Sequence, residues 1–404
     1  METTSMNTSV KTFDIPVRTD EMLINMGPQH PSTHGVLRLV LRIDGEVVVD
    51  MDPVVGYLHR CAEKIGETLS PHQFLPYTDR LDYLAAMNMN LGFTLAVEKL
   101  CGIDVSERTR TIRVLMAELG RICSHLVAAG CYVLDLGGFT QFMYGFRERE
   151  KILNLFEAAC GARMTCSYIT PGGVKHGDLP DGWIDECAKF IDEFLAVVPD
   201  LHASMTLNEI MVRRAAGIGV LSPEKAIAYG CSGPVLRGSG VAWDLRRHGD
   251  PIYTKMYDDY RFEVIASVNG AYPSDMEYPK IPPRTVVGDS WHRFYVRMLE
   301  AVQSAMIIRQ AMERYPKTDP VISDPMKIST KLPVGDVYVE TEAPKGQMGF
   351  YVVGNGTNVL QRCRIRSSSF CNLSALREMC RGCMIGDVPS ILGSIDIVLG
   401  EVDR

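Results

Sequence analysis

Between residues 82 and 215 apolar side chains recur at three- and four-residue intervals in one stretch after another, and this repetition constrains the fold more than any other feature. In residues 82–100, Tyr83, Met87, Leu91 and Leu95 follow that spacing, which predicts a helix with one broad buried stripe. Residues 107–136 continue through Ile112, Leu115, Leu119, Ile122, Leu126 and Ala129 until Gly137-Gly138 stops the pattern. The two helices are expected to pair antiparallel across residues 101–106. Residues 142–160, 180–198 and 199–215 are further helical candidates, the first with the charged run Arg147-Glu148-Arg149-Glu150-Lys151, and Pro171-Gly172-Gly173 interrupts the series. Four or five helices in so short a span predict a bundle core.

Both flanks read as β-structure. Val36 to Ile43 and Glu46 to Met51 are β-rich runs joined by Asp44-Gly45, which predicts a two-residue type I′ hairpin with positive φ at both central positions. Against this ribbon lies the polar loop Asn25-Met26-Gly27-Pro28-Gln29-His30-Pro31-Ser32-Thr33-His34-Gly35, whose prolines restrict it and whose glycines permit close approach. A rigid wall thereby presents two imidazoles. Near the C-terminus, residues 336–342, 348–354 and 360–366 alternate between turn residues and predict a small antiparallel meander. The fold class is α+β: a central helical bundle with an N-terminal β-hairpin region and a small C-terminal antiparallel β meander.

Between these elements we expect a short helix over 56–65, a loop over 70–77, a helix capped by Ser222-Pro223-Glu224-Lys225, a packed aromatic connection over 243–283, and a last long helix over 290–315. Residues 1–21 read as a mostly loose tail. No composition break divides the remainder, so 22–404 is expected to form one unit with a β-rich part (22–78), a helical core (79–215), a loop-rich part (216–335) and a C-terminal β part (336–404).

Charge then excludes some functions. A net charge of −7 with a sequence pI near 5.8 leaves no basic footprint for nucleic acid. No run approaches the roughly 18 to 20 apolar residues that span a bilayer, and the polar start lacks an apolar signal core, so the chain is expected to stay soluble on its side of synthesis. Twelve scattered cysteines suggest a reducing compartment where Cys serves as a small apolar residue. Neither Gly238-Ser239-Gly240 nor Gly354-Asn355-Gly356 completes a dinucleotide fingerprint, and no Gly-rich phosphate loop with a following Lys-Ser/Thr occurs.

Five groups remain as chemical candidates, each weighed against a bland alternative. His30 and His34 share a HxxxH spacing, but the intervening proline argues against a helical metal site, and either imidazole can serve its own loop. Tyr83, after Asp79-Arg80-Leu81-Asp82, is a core tyrosine or a hydroxyl donor facing a cavity. Asp135 stands near a helix C-terminus, where the dipole disfavours an anion, so it needs a partner or a role in proton transfer. His125, on the same helix, is a satisfied core residue or a relay. Cys380-Arg381-Gly382-Cys383 supplies only two of the four thiolates that zinc or an iron-sulfur cluster usually needs.

Taken together, several motifs resemble one family. They are Gly27-Pro28-Gln29-His30-Pro31-Ser32-Thr33-His34-Gly35-Val36-Leu37-Arg38, Gly56-Tyr57-Leu58-His59-Arg60, Pro76-Tyr77 with Asp79-Arg80-Leu81-Asp82-Tyr83, Phe146-Arg147-Glu148-Arg149-Glu150-Lys151, Leu236-Arg237-Gly238-Ser239-Gly240, Glu342-Ala343-Pro344-Lys345-Gly346 and Gly400-Glu401-Val402-Asp403-Arg404. In order, and over nearly the whole chain, they resemble the 49-kDa or D subunit of NADH:quinone oxidoreductase, respiratory complex I.

The resemblance implies a peripheral-arm subunit of a proton-translocating oxidoreductase. Such a subunit packs against a small iron-sulfur (B-like) partner that carries a 4Fe-4S cluster, beside a C-like 30-kDa partner and other peripheral-arm subunits. It meets a membrane-arm subunit at the quinone entrance, on the cytoplasmic face of a bacterial inner membrane or the organellar equivalent. Quinone is then the substrate, held by His34 and Tyr83, with Asp135 paired to His34 and all three catalytic. No cofactor or metal is expected on this chain alone. Arg60, Arg80 and Thr165 match positions beside the partner's cluster, although Thr165 stands where many members have a histidine. Gln141, Val54 and Gln347 likewise replace a common proline, histidine and glutamate. The related nickel-iron hydrogenase large subunits bind metal through two CxxC pairs, and this chain lacks the N-terminal one, which disfavours hydrogenase activity. A related complex using ferredoxin or another donor, and a scaffold without catalysis, are the alternative readings.

Overall fold

The structure is a computed structural model that describes residues 20–267, 281–319 and 326–404. The expected tail falls almost wholly outside these residues, as does part of the 243–283 connection.

Glu21–Met26 (β1), Arg38–Asp44 (β2) and Val47–Val54 (β3) form an antiparallel sheet in the order β1-β2-β3. The expected hairpin is its β2-β3 pair, and β1, which the sequence reading missed, pairs Met26 with Leu39 and Glu21 with Asp44. The turn also differs. Asp44 pairs with Val47, so Gly45 and Glu46 are central, and of these only Gly45 has positive φ (60°). One glycine at the first central position suits a type II′ turn, whereas type I′ would have forced Glu46 into the left-handed region.

Prolines account for the main departures in the next segment. The short helix starts late, at Ala62–Gly66 (α1), because Gly56 and Cys61 hold positive φ. The expected loop at 70–77 is instead Pro71–Asp79 (α2). There Pro71 takes a first-turn position that needs no N–H donor, while Gln73 Oε1 accepts from the Ser70 backbone N–H at 3.1 Å.

The bundle is Ala86–Cys101 (α3), Glu107–Asp135 (α4), Phe139–Cys160 (α5) and, beyond the small Ile169–Thr170 (β4) and Gly173–Val174 (β5) pair, Trp183–Leu201 (α6). Ser106 Oγ caps α4 by accepting from Thr109 N. α3 is buried all round rather than on one stripe, because α4 lies beside it and the C-terminal strands lie over it. The break expected at Pro199 does not occur: α6 runs through it into a π-helical turn, His202–Thr206, before Glu209–Ala215 (α7). A wider turn is a common way to absorb the ladder bond that proline cannot make.

Pro223–Ala228 (α8), Gly233–Gly238 (α9), Leu245–His248 (α10) and Pro251–Thr254 (α11) lead to Ser290–Arg314 (α12), which lies along α4. Gly335–Ala343 (β6), Gly346–Gly354 (β7) and Arg362–Arg366 (β8) are the expected meander, with Tyr338 opposite Tyr351. After β8 the chain is helical: Ser368–Ser374 (α13), Leu376–Cys380 (α14), Val388–Ile395 (α15) and Leu399–Asp403 (α16).

α4 is long and apolar enough to cross a membrane, which corrects the expectation that no segment reaches that size, yet 94% of its apolar window is buried inside this fold. It is the central core helix. Its charges Glu118 and Arg121, which interrupt the apolar run in sequence, are fully buried and paired with each other. A second core joins Leu39, Leu41 and Val48 of the N-terminal sheet to Val235 and Leu236 and to Leu376, Ile391 and Ile395 near the C-terminus. Elements hundreds of residues apart thus share one apolar interior, and the candidate site lies where this core meets the bundle.

Candidate functional site

The opening loop turns through a 3-10 segment, Pro31–Thr33, packed against α15. Thr33, fully buried, donates its hydroxyl to the carbonyls of His30 and Gly35 at 2.8 and 2.9 Å. His34 adopts the left-handed region (φ 53°), which turns its ring away from its neighbours and onto the C-terminus of α4. There its Nε2 lies 2.6 Å from Asp135 Oδ2. Burial would lower the imidazole pKa, but the hydrogen bond and charge of Asp135, with the charge of Asp396, outweigh it and leave the pKa raised. The imidazolium also answers the anion at the negative end of α4. Gly393 of α15 covers the pair: a Cβ there would stand 2.9 Å from the Tyr132 ring, 3.3 Å from Asp135 Oδ2 and 3.4 Å from His34 Nε2.

Tyr83 does not lie on a helix. Asp82 Oδ1 accepts from Leu84 N at 3.1 Å and folds residues 82–85 into a turn before α3, which leaves Tyr83 on its outer face, 39% exposed. Partial burial raises its phenol pKa, and Asp82 and Asp396 add to the rise while Lys345 and Arg60 oppose it. The phenol therefore stays protonated and able to donate. Its cleft is bounded by Met87, Cys123, Arg149, Met164 and Cys166.

The structure joins His34 to Asp135 directly, whereas the cleft beside Tyr83 is lined by neither of them. Arg60 and Arg80 are brought together at the surface: Arg60 Nη2 donates to the Arg80 carbonyl at 2.6 Å, and Arg80 Nη1 to that of Pro76. Thr165 has φ 50° and is half-buried, between the cleft residues Met164 and Cys166. Asp79 anchors that segment to α2 by accepting from Ser167 N at 3.1 Å and from its hydroxyl.

Two other candidates separate from this group. His30 points outward, and its carbonyl serves the Thr33 turn. His125 is buried with Nε2 3.2 Å from Glu300 Oε2, and burial, prevailing over Glu300, pulls its pKa to about 4, so it is a neutral core residue at neutral pH. Cys383 donates its thiol to the Cys380 carbonyl at 2.8 Å, and all twelve cysteines are free. Among the described residues no group of three or more His, Cys, Asp or Glu is placed to hold a metal ion.

Sequence reasoning missed two residues that organise the site. Lys345, fully buried at the β6-β7 turn, places Nζ 3.1 Å from Asp82 Oδ2 and 3.7 Å from Asp396 Oδ2, and it donates to Ser124 Oγ at 2.9 Å. Asp396 takes the left-handed position after α15 (φ 52°), 3.7 Å from Arg297 Nε. A signal for Asp396 existed: an aspartate between Ile395 and Ile397 in an apolar run is a carboxylate in need of a partner. Lys345 gave none, since a lysine in a strand turn normally faces water.

The site thus offers a hydroxyl donor, an imidazole held by a carboxylate, and a buried cation. The comparisons agree with the motifs. The family described as "Respiratory-chain NADH dehydrogenase, 49 Kd subunit" matches residues 135–331 and 326–404. The D subunit of NADH-quinone oxidoreductase from Desulforamulus reducens is 48% identical over 387 residues, covering 96% of this chain and 99% of that protein. Its namesake in Chlorobium luteolum is 46% identical over 99% of this chain and 98% of its own length, and that of Bacillus cereus 44% identical over 96% and 100%. Matched over nearly its whole length and with its motifs in place on one fold, the chain belongs to the 49-kDa (D-subunit) family of respiratory complex I.

Proposed function

We propose that this chain forms, with a small iron-sulfur subunit, the cavity in which complex I reduces and protonates quinone, and that His34, Asp135 and Tyr83 are its catalytic residues. The observation that carries this reading is the 2.6 Å His34–Asp135 pair. The relatives' name favours NADH as the electron source and quinone as the acceptor. The chain would sit peripherally on the cytoplasmic face of a bacterial membrane, beside C-like 30-kDa and membrane-arm partners, as part of a translocase.

Reduction of a quinone to a quinol takes two electrons and two protons. The partner's 4Fe-4S cluster would supply the electrons, this chain offering two thiols in CxxC spacing, Cys380 and Cys383, where such a cluster usually needs four. Its own residues hold and move protons. Tyr83 Oη donates to one carbonyl oxygen and His34 to the other as negative charge develops, while Asp135 keeps the imidazole charged and oriented. Arg60 and Arg80, exposed and linked to each other, suit the face toward the partner's cluster.

A raised His34 pKa has a definite sign. Its stabilising pairing is fully present below the ordinary value of 6.5 and is lost as pH rises through the folded value. Asp135→Asn removes the anion and leaves burial to lower the imidazole pKa. In the assembled complex, quinone turnover should fall at neutral pH and its alkaline limb should move to lower pH. A limb that stays in place would overturn the proton-donor role of His34.

Thr165 leads to a second expectation. A threonine cannot titrate, so the potential of the neighbouring cluster should lie lower and vary less with pH than in members with a histidine there. A redox titration showing a steep slope around neutral pH would contradict this.

A further inference from the structure

Behind Tyr83 the bundle, the β6-β7 turn and the C-terminal segment converge on buried charges that the roles above leave unused. Lys345 Nζ is the hub, with Asp82 at 3.1 Å and Asp396 at 3.7 Å. Glu401 of α16 is the third carboxyl, fully buried, and its charge acts on Lys345. Arg297 is the second cation, 3.7 Å from Asp396 Oδ2, with its Nη1 already donating to the carbonyls of Arg293 and Ser394. α16 reaches this point because Gly400 has no side chain: a Cβ there would lie 2.6 Å from the Leu81 carbonyl and 2.7 Å from that of Arg80.

Three buried carboxyls thus face two cations, and ionising all three would leave an uncompensated buried charge. Glu401 Oε2 is buried without a hydrogen-bond partner, while Asp82 Oδ2 is paired with Lys345 and Asp396 Oδ2 has only the two cations at 3.7 Å. An unpartnered oxygen on a buried carboxyl is a place where a proton can reside.

We infer that the Glu401–Asp82–Lys345–Asp396 cluster carries one exchangeable proton and resupplies it to Tyr83 during turnover. The inference rests on the quinone-reducing role proposed above. Glu401 is the carboxyl that holds the proton at rest. Burial and Asp82 raise its pKa, while Ser369 and Lys345 only partly oppose them. Its Oε1 is engaged by the Ser368 hydroxyl at 2.9 Å and the Ser369 N–H at 2.7 Å, which leaves Oε2 for the proton. The charged groups around it are Asp82 before α3, Lys345 of the β6-β7 turn, Asp396 after α15 and Arg297 of α12, with Arg60 acting on Tyr83 and the His34–Asp135 pair beyond Asp396.

The balance closes without another reactant. Quinone takes two electrons from the partner's cluster and one proton each from Tyr83 and His34. The Tyr83 phenolate regains its proton from Glu401 by way of the Asp82 carboxylate; Glu401, now ionised beside Lys345, and His34, now neutral, each recover a proton from solvent. Asp82 immediately precedes Tyr83 and shapes its turn. Glu401 touches no substrate and acts through Tyr83.

The test is Glu401→Gln in the assembled complex, beside Glu401→Asp and Tyr83→Phe. Glu401→Gln should lower quinone turnover about 10²-fold, the lower range for a positioned proton donor. It should also raise the solvent deuterium isotope effect and flatten the pH profile, while electron transfer to an acceptor that draws upstream is unchanged. Glu401→Asp should recover part of the rate. In the unsubstituted complex, the infrared difference spectrum on quinone reduction should show a protonated-carboxyl band that Glu401→Gln removes, a readout that needs no active variant. If Tyr83→Phe stops quinone turnover while Glu401→Gln changes neither rate, isotope effect nor the band, the proton store is refuted and the quinone site stands. If Tyr83→Phe itself has no effect, the site reading fails first.

Discussion

Arg237→Ala should destabilise the folded chain by about 3–5 kcal/mol, the range for removing one partner of a buried ionic group. Arg237 is fully buried in α9; its Nε donates to Glu300 Oε1 at 2.6 Å and its Nη1 to Glu342 Oε1 at 2.7 Å and to the Trp243 carbonyl at 2.9 Å. Alanine would leave two buried carboxylates short of their cation, and the neighbouring pairs of Arg246 with Asp244 and Glu118 cannot stretch to replace it. The effect has a pH signature. Burial would raise the Glu300 pKa, but Arg237 and His125 hold it at about 2. That stabilisation is fully present above the ordinary value of 4.5 and is lost as pH falls toward 2, so the gap between the two proteins should be widest above pH 4.5 and narrow in acid. Arg213, whose pair with Glu209 is exposed on both sides, serves as the contrast: Arg213→Ala should leave the urea midpoint unmoved. A midpoint for Arg237→Ala within about 0.5 kcal/mol of the unsubstituted chain would show that the buried network does not hold the fold together.

Much of this architecture was legible in the residues. The helical period of 107–136 and the two-residue period of the C-terminal strands were read almost to their ends, because each element buries a face and its apolar spacing records which. Proline misled in both directions. Pro71 and Pro76 suggested a loop where Ser70 and Gln73 start a helix, and Pro199 suggested a break where one π turn absorbs it. β1 went unread because Glu21-Met22-Leu23-Ile24-Asn25-Met26 does not alternate cleanly and forms an edge strand with no fully buried residue.

The candidate site divides the same way. That Asp135 needs a partner followed from its place at a helix end, and the partner proved to be His34, from a loop 101 residues earlier. Lys345, Asp396 and Glu401 carry no local mark of proximity. They meet only because the core that joins the N-terminal sheet to the last two helices packs against the bundle, a consequence of packing that no window of sequence contains.

Tyr83→Phe tests the central claim most directly. The substitution removes one oxygen from a ring already 39% exposed, so fold and assembly should hold while the hydroxyl donor is lost. Withdrawing a donor aimed at a developing oxyanion is expected to cost about 10²-fold or more in turnover. The measurement is made on the assembled complex, with quinone as acceptor and separately with an artificial acceptor that takes electrons upstream of the cavity. The account predicts a collapse of the quinone rate with the upstream rate intact; quinone turnover equal to that of the unsubstituted complex would contradict it.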